Sequence, residues 1–101
     1  MKRALTVEPE NGYYIDSLGW ARFKKGMLDE AMQDLKRAVT LVPDDPVIVE
    51  HLGDIYFELK MFRAAQEAWE QSLQQQPENE AVEGKLKKVK SILEQRMQSQ
   101  Q

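Results

Sequence analysis

Residues 46–79 read PVIVEHLGDIYFELKMFRAAQEAWEQSLQQQPEN, and residues 12–45 read GYYIDSLGWARFKKGMLDEAMQDLKRAVTLVPDD. Set in register, the two blocks put Leu18-Gly19 on Leu52-Gly53, Phe23 on Phe57, Ala31 on Ala65, Leu35 on Trp69 and Pro43 on Pro77. A block that repeats at this spacing is one supersecondary unit stacked on a copy of itself. Each block holds two stretches of apolar residues at steps of three and four, the helical period. In the first they are Ile15, Leu18 and Ala21, then Ala31, Leu35, Ala38 and Val39; in the second, Val49, Leu52, Ile55 and Tyr56, then Ala65, Trp69 and Leu73.

The punctuation sets the ends. Asn11, Asp45 and Asn79 precede periodic stretches and suit N-caps, Pro46 fits a first helical position, and Gly26 can take the left-handed conformation that closes a helix. Helices are therefore expected over 12–25, 28–41, 46–59, 62–75 and 79–97. Gly19 and Gly53 leave room for the neighbouring helix, with Ala31 and Ala65 expected as the facing small residues and Leu35 and Trp69 one turn on. The opening residues fit the same period: Lys2–Pro9 lies over Lys36–Pro43.

Val49, Leu52, Gly53 and Tyr56, followed by Ala65, Trp69 and Pro77, resemble the tetratricopeptide repeat family; Ile15, Leu18, Gly19, Ala31, Leu35 and Pro43 resemble it again one repeat earlier. Arg22 stands where that pattern has an aromatic, Lys60 where it has Gly and Ser72 where it has Ala. The run Tyr14–Ala21 is similar to the last repeats of long bacterial members. The resemblance implies an all-α, right-handed solenoid of helix-turn-helix hairpins with a C-terminal capping helix. It divides the chain into a remnant of a preceding repeat's second helix (1–11), two repeats (12–45 and 46–79), a capping helix (80–97) and a frayed tail (98–101). On this reading the chain is a piece of a longer array. Val82, Leu86, Val89, Leu93 and Met97 form the cap's apolar stripe, and its lysines make the outer face polar.

Composition narrows the function. Fourteen basic and 17 acidic residues give a net charge of −3, against the basic face of a nucleic-acid binder. There is no cysteine, hence no disulfide scaffold and no thiolate metal site, and the compartment stays open. No apolar run approaches the ~20 residues of a membrane span. One histidine with scattered carboxylates makes no metal site, and no cofactor is expected.

The resemblance places the first helix of each pair on the concave side of the solenoid. That face offers Tyr13, Asp16, Ser17, Trp20, Phe23 and Lys24 from the first repeat. The second adds Val47, Glu50, His51, Asp54, Phe57 and Glu58, and the cap adds Ala81, Lys85 and Lys88. Aromatic anchors, an acidic ladder (Asp16, Glu50, Asp54, Glu58) and a basic end suit a peptide or helix carrying apolar and basic residues. Some family members clamp carboxylate tails of heat-shock chaperones with Lys and Asn. The matching positions here hold Asp16, Trp20, His51, Ala81 and Lys85, of which only Lys85 would serve, so that ligand class is set aside. Ser17, His51 and Asp54 make a serine, a base and a carboxylate on paper, but mid-helix positions lack free backbone N–H groups for an oxyanion. The expected function is a non-catalytic scaffold for a protein or peptide partner. The alternative is a structural module that ends the array or self-associates, as a homodimer through the N-terminal repeat face around Tyr14, Ile15, Leu18 and Ala21.

Overall fold

The computed structural model describes residues 11–99. The readings of 1–10 as the end of a preceding repeat and of 100–101 as tail lie outside them. Among the described residues five helices follow one another: α1 (Gly12–Lys24), α2 (Leu28–Leu41), α3 (Pro46–Glu58), α4 (Phe62–Gln75) and α5 (Glu80–Ser99). The expected all-α solenoid is what forms. α1 pairs with α2 and α3 with α4 as hairpins, α2 packs on α3, and α5 closes the stack against α4. The last helix runs through Ser99, past the expected end at 97.

The starts follow the expected chemistry. Asn11 Oδ1 accepts from the Tyr13 and Tyr14 backbone N–H groups, Asp45 Oδ1 from Val47 and Ile48, and Asn79 Oδ1 from Ala81 and Val82, at 2.9–3.4 Å. Each cap satisfies N–H donors that have no partner within the helix. The hairpin turns share one closure. Met27 N–H donates to Arg22 O and Gly26 N–H to Phe23 O; Met61 N–H donates to Tyr56 O and Lys60 N–H to Phe57 O. This closure needs a left-handed residue just past the helix. Gly26 supplies it at φ +83°, and Lys60 takes the same role at φ +63° despite its side chain.

The glycines sit where hairpin helices touch, with one correction. Leu35 and Trp69 do not lie a turn beyond them: a methyl built on Gly19 would run into the Leu35 side chain, and one on Gly53 into the Trp69 indole. Trp69 Nε1–H donates to Glu50 O at 3.3 Å, and Ser72 Oγ–H to Pro46 O at 2.9 Å, so the buried polar atoms of α4 are satisfied on α3. Arg22, out of pattern in sequence, pairs with Asp34 across the first hairpin at 2.9 Å.

Buried side chains form two clusters. The first joins Ile15, Leu35, Ile48, Leu52 and Ile55; the second joins Ala65, Trp69, Val82, Leu86 and Val89; Tyr56 packs against both. Of the N-terminal repeat face named for self-association, Ile15 is instead buried in the first cluster. Tyr14 and Ala21 stay exposed. The cap's stripe is buried through Val89, after which Met97 is 59% exposed.

Candidate functional site

α1, α3 and α5 bring their side chains together on one side of the stack. His51 on α3 reaches Asp16 on α1, its Nδ1–H donating to Oδ1 at 2.9 Å. The His51 ring also stacks on Trp20, centroids 4.2 Å apart, and Trp20 stacks on Phe23 at 4.7 Å. Lys24 Nζ lies over the Trp20 ring at 5.5 Å. Thus α1 and α3 together build a continuous aromatic surface, with Asp16 holding one ring nitrogen of His51 and Lys24 lying over Trp20.

The next step along the groove is ionic. Lys85 Nζ on α5 donates to Glu50 Oε2 at 2.7 Å and to Asp54 Oδ1 and Oδ2 at 2.9 and 3.2 Å. Burial pushes the Asp54 carboxyl above the usual aspartate range; Lys85 opposes that shift and the Glu50 charge adds to it. Burial also works to lower Lys85, but its hydrogen bonds to Glu50 and Asp54 outweigh it and leave the ammonium above the ordinary lysine value. The two directions point opposite ways about the pair: the cation is favoured and one of its carboxylates is not. The geometry reconciles them, because one ammonium serves two carboxylates, which repel each other.

Beyond the bridge lies a cavity of about 260 Å³ lined by Phe23, Asp54, Phe57, Glu58, Trp69, Lys85 and Lys88. Phe57 and Trp69 stand with ring centroids 5.7 Å apart, and Lys88 Nζ lies over the Phe57 ring at 5.3 Å. Apolar walls under a charged rim match the general build of a recognition pocket.

The sequence-derived positions therefore divide. Asp16, Trp20 and His51 meet; Glu50, Asp54 and Lys85 meet; Glu58, Lys85 and Lys88 rim the cavity. Tyr13 is 59% exposed, and Ser17 is exposed. The acidic ladder is not a row of free carboxylates, since three of its four members are held by His51 and Lys85. Nor do Ser17, His51 and Asp54 assemble: His51 turns its Nδ1–H to Asp16, and Asp54 binds Lys85. Trp69 was read purely as core, yet it lines the cavity. Its size opposite Gly53 is the one signal in the sequence that it reaches the α3 face. Among the described residues no cluster of metal-ligating side chains occurs, and no helix is long and apolar enough to cross a membrane.

A tetratricopeptide repeat family model matches residues 22–89. No curated protein matches the chain. Among solved structures it resembles the Sgt2 TPR domain from Aspergillus fumigatus, with a TM-score of 0.85 and 22% identity over 96% of this chain and 66% of that one. It also resembles the first TPR domain of human RPAP3, with a TM-score of 0.84 and 21% identity over 97% and 77%. The first TPR of Spaghetti (RPAP3) bound to the HSP90 peptide SRMEEVD gives 0.82 and 23% identity over 85% and 68%.

Proposed function

From the premise that the chain belongs to the tetratricopeptide repeat family, whose domains commonly mediate protein–protein interaction, we propose that it is a non-catalytic scaffold holding a partner peptide or protein segment in its concave groove. The observation that carries this is the cavity floored by Phe23, Phe57 and Trp69. Its volume of about 260 Å³ suits one or two side chains of a longer segment, below the ~300–1,000 Å³ of small-molecule sites. The His51–Trp20–Phe23 stack beside it gives such a segment further aromatic surface to lie on. Rigid aromatic anchors of this kind carry most of the energy at protein interfaces.

The HSP90 peptide of the Spaghetti structure does not transfer. Lys85, the only base at the positions that would clamp its carboxylates, is already engaged by Glu50 and Asp54. Selection of a displayed random dodecamer library on the protein tests the groove. Enriched peptides are expected to bind Trp20→Ala at least about 10-fold more weakly, with helical circular dichroism unchanged. Failure to enrich any peptide, or equal affinity for Trp20→Ala, would refute the proposal.

A second reading, self-association through the N-terminal repeat face, is favoured by the exposed Tyr13 and Tyr14, at 59% and 51%. Sedimentation across a concentration series checks it: a constant monomer mass at the highest concentration removes it.

A further inference from the structure

The chemistry of the partner is legible in which groove charges are still available. The side chains of Asp16, Glu50 and Asp54 are only 16%, 17% and 18% exposed, and each already accepts a charge-assisted hydrogen bond from within the protein. A basic partner would have to break these bonds to use those carboxylates, and a broken bond at a desolvated site is costly. Lys24 and Lys88 are in the opposite condition. Both are exposed, and each Nζ faces only an aromatic ring, Trp20 and Phe57 respectively. A ring face leaves the ammonium's charge uncancelled and most of its hydration in place, so a carboxylate can still pair with it.

These two cations border the apolar surface from opposite helices. Lys88 rims the cavity from α5, and Lys24 covers the ring stacked on the cavity-lining Phe23. Glu58 is an exposed acid on the same cavity rim as Lys88. Resting on the groove reading above, we infer that the partner is an acidic segment: an apolar side chain enters the cavity, and Asp or Glu residues flanking it pair with Lys88 and Lys24. The lysines swing off Phe57 and Trp20 as they pair, and the bared rings receive the partner's aliphatic carbons. The contacts lie on the rim, so internal Asp and Glu suffice and no chain terminus is required.

The test sequences the dodecamers selected on the wild type and, in parallel, on Lys88→Glu and Lys88→Gln. The displayed peptides are fused at their C-terminal ends, so none presents a free terminal carboxylate. The wild type is expected to enrich Asp and Glu within three residues of an apolar anchor. Acetylated and amidated synthetic versions should bind it about fivefold tighter than counterparts carrying Lys for the acids. Lys88→Gln should erase that preference and Lys88→Glu invert it, with melting midpoints close to wild type and with the wild-type preference weakening as salt rises. Enrichment of Lys and Arg, or of uncharged flanks indifferent to the Lys88 substitutions, would overturn the acidic assignment while leaving the groove as a peptide site. Absence of any binder that depends on Trp20 would remove both.

Discussion

Replacing Lys60 by glycine should make the protein more stable, although it deletes a side chain and adds flexibility. Lys60 ends α3 at φ +63°, and Gly26 ends α1 in the same closure at φ +83°. An L-residue in this region crowds its Cβ against the following carbonyl, costing roughly 1–2 kcal/mol. Glycine escapes that crowding but gives back about 0.4–1 kcal/mol through the larger freedom of the unfolded chain. The net gain for Lys60→Gly is about 0.5–1 kcal/mol, or about 4 °C in Tm for a chain of this size. Lys60 is exposed and makes no ion pair or hydrogen bond through its side chain, so nothing else is lost. Urea unfolding followed by circular dichroism measures the shift, with an unchanged slope. Two controls isolate the backbone. Lys60→Ala keeps the crowding and should move the midpoint little. Gly26→Ala introduces a methyl that meets nothing within 4 Å, so its expected loss of at least about 1 kcal/mol is conformational alone. A midpoint lowered by Lys60→Gly, or raised equally by Lys60→Ala, would refute this account.

At Gly53 a methyl collides with the Trp69 ring, so Gly53→Ala should cost about 1–3 kcal/mol, whereas Gly84→Ala, in open space within α5, should gain about 0.5–1 kcal/mol; thermal melts compare them. Lys85→Met leaves Glu50 and Asp54 facing each other and should cost about 1–2 kcal/mol, less than a fully buried pair because the ammonium is partly solvated. Since the Lys85 value is raised in the fold, its contribution is complete below the ordinary 10.5 and is lost as pH rises through the raised value; the gap between wild type and Lys85→Met should close there. Asp54 has the opposite sign. Its raised value means the folded state takes up the proton first, so wild type gains relative to Asp54→Asn as pH falls toward 3.8, a difference that paired urea titrations at neutral and mildly acid pH would record.

The helices and their limits could be read from local chemistry, because a cap or a left-handed turn is decided within a few residues. Asn11, Asp45, Asn79 and Gly26 all act as their residue types require. The repeat register likewise carried the hairpins, since Gly19 and Gly53 admit the neighbouring helix only if the pairs align. The site was less accessible to such reasoning. That Lys85 would bridge Glu50 and Asp54, and His51 would bind Asp16, depends on partners 31–35 residues away and on the rotation of three helices about their axes. No periodicity encodes that rotation to the accuracy of a hydrogen bond. Arg22 shows the same limit: an odd residue in the repeat pattern, its meaning appears only when Asp34 is brought across the hairpin.

The division of the interior into two clusters has a consequence for how the molecule comes apart. In stacked repeats cooperativity is no stronger than the contacts between neighbours, and here Tyr56 is a side chain that leans on both clusters. The two indoles happen to report on different halves: Trp20 rests on Phe23 beside the first cluster, and Trp69 is a member of the second. Single-tryptophan variants would therefore give two unfolding curves from one chain, and the separation between them would gauge how tightly Tyr56 and its surroundings weld the halves into one melting unit.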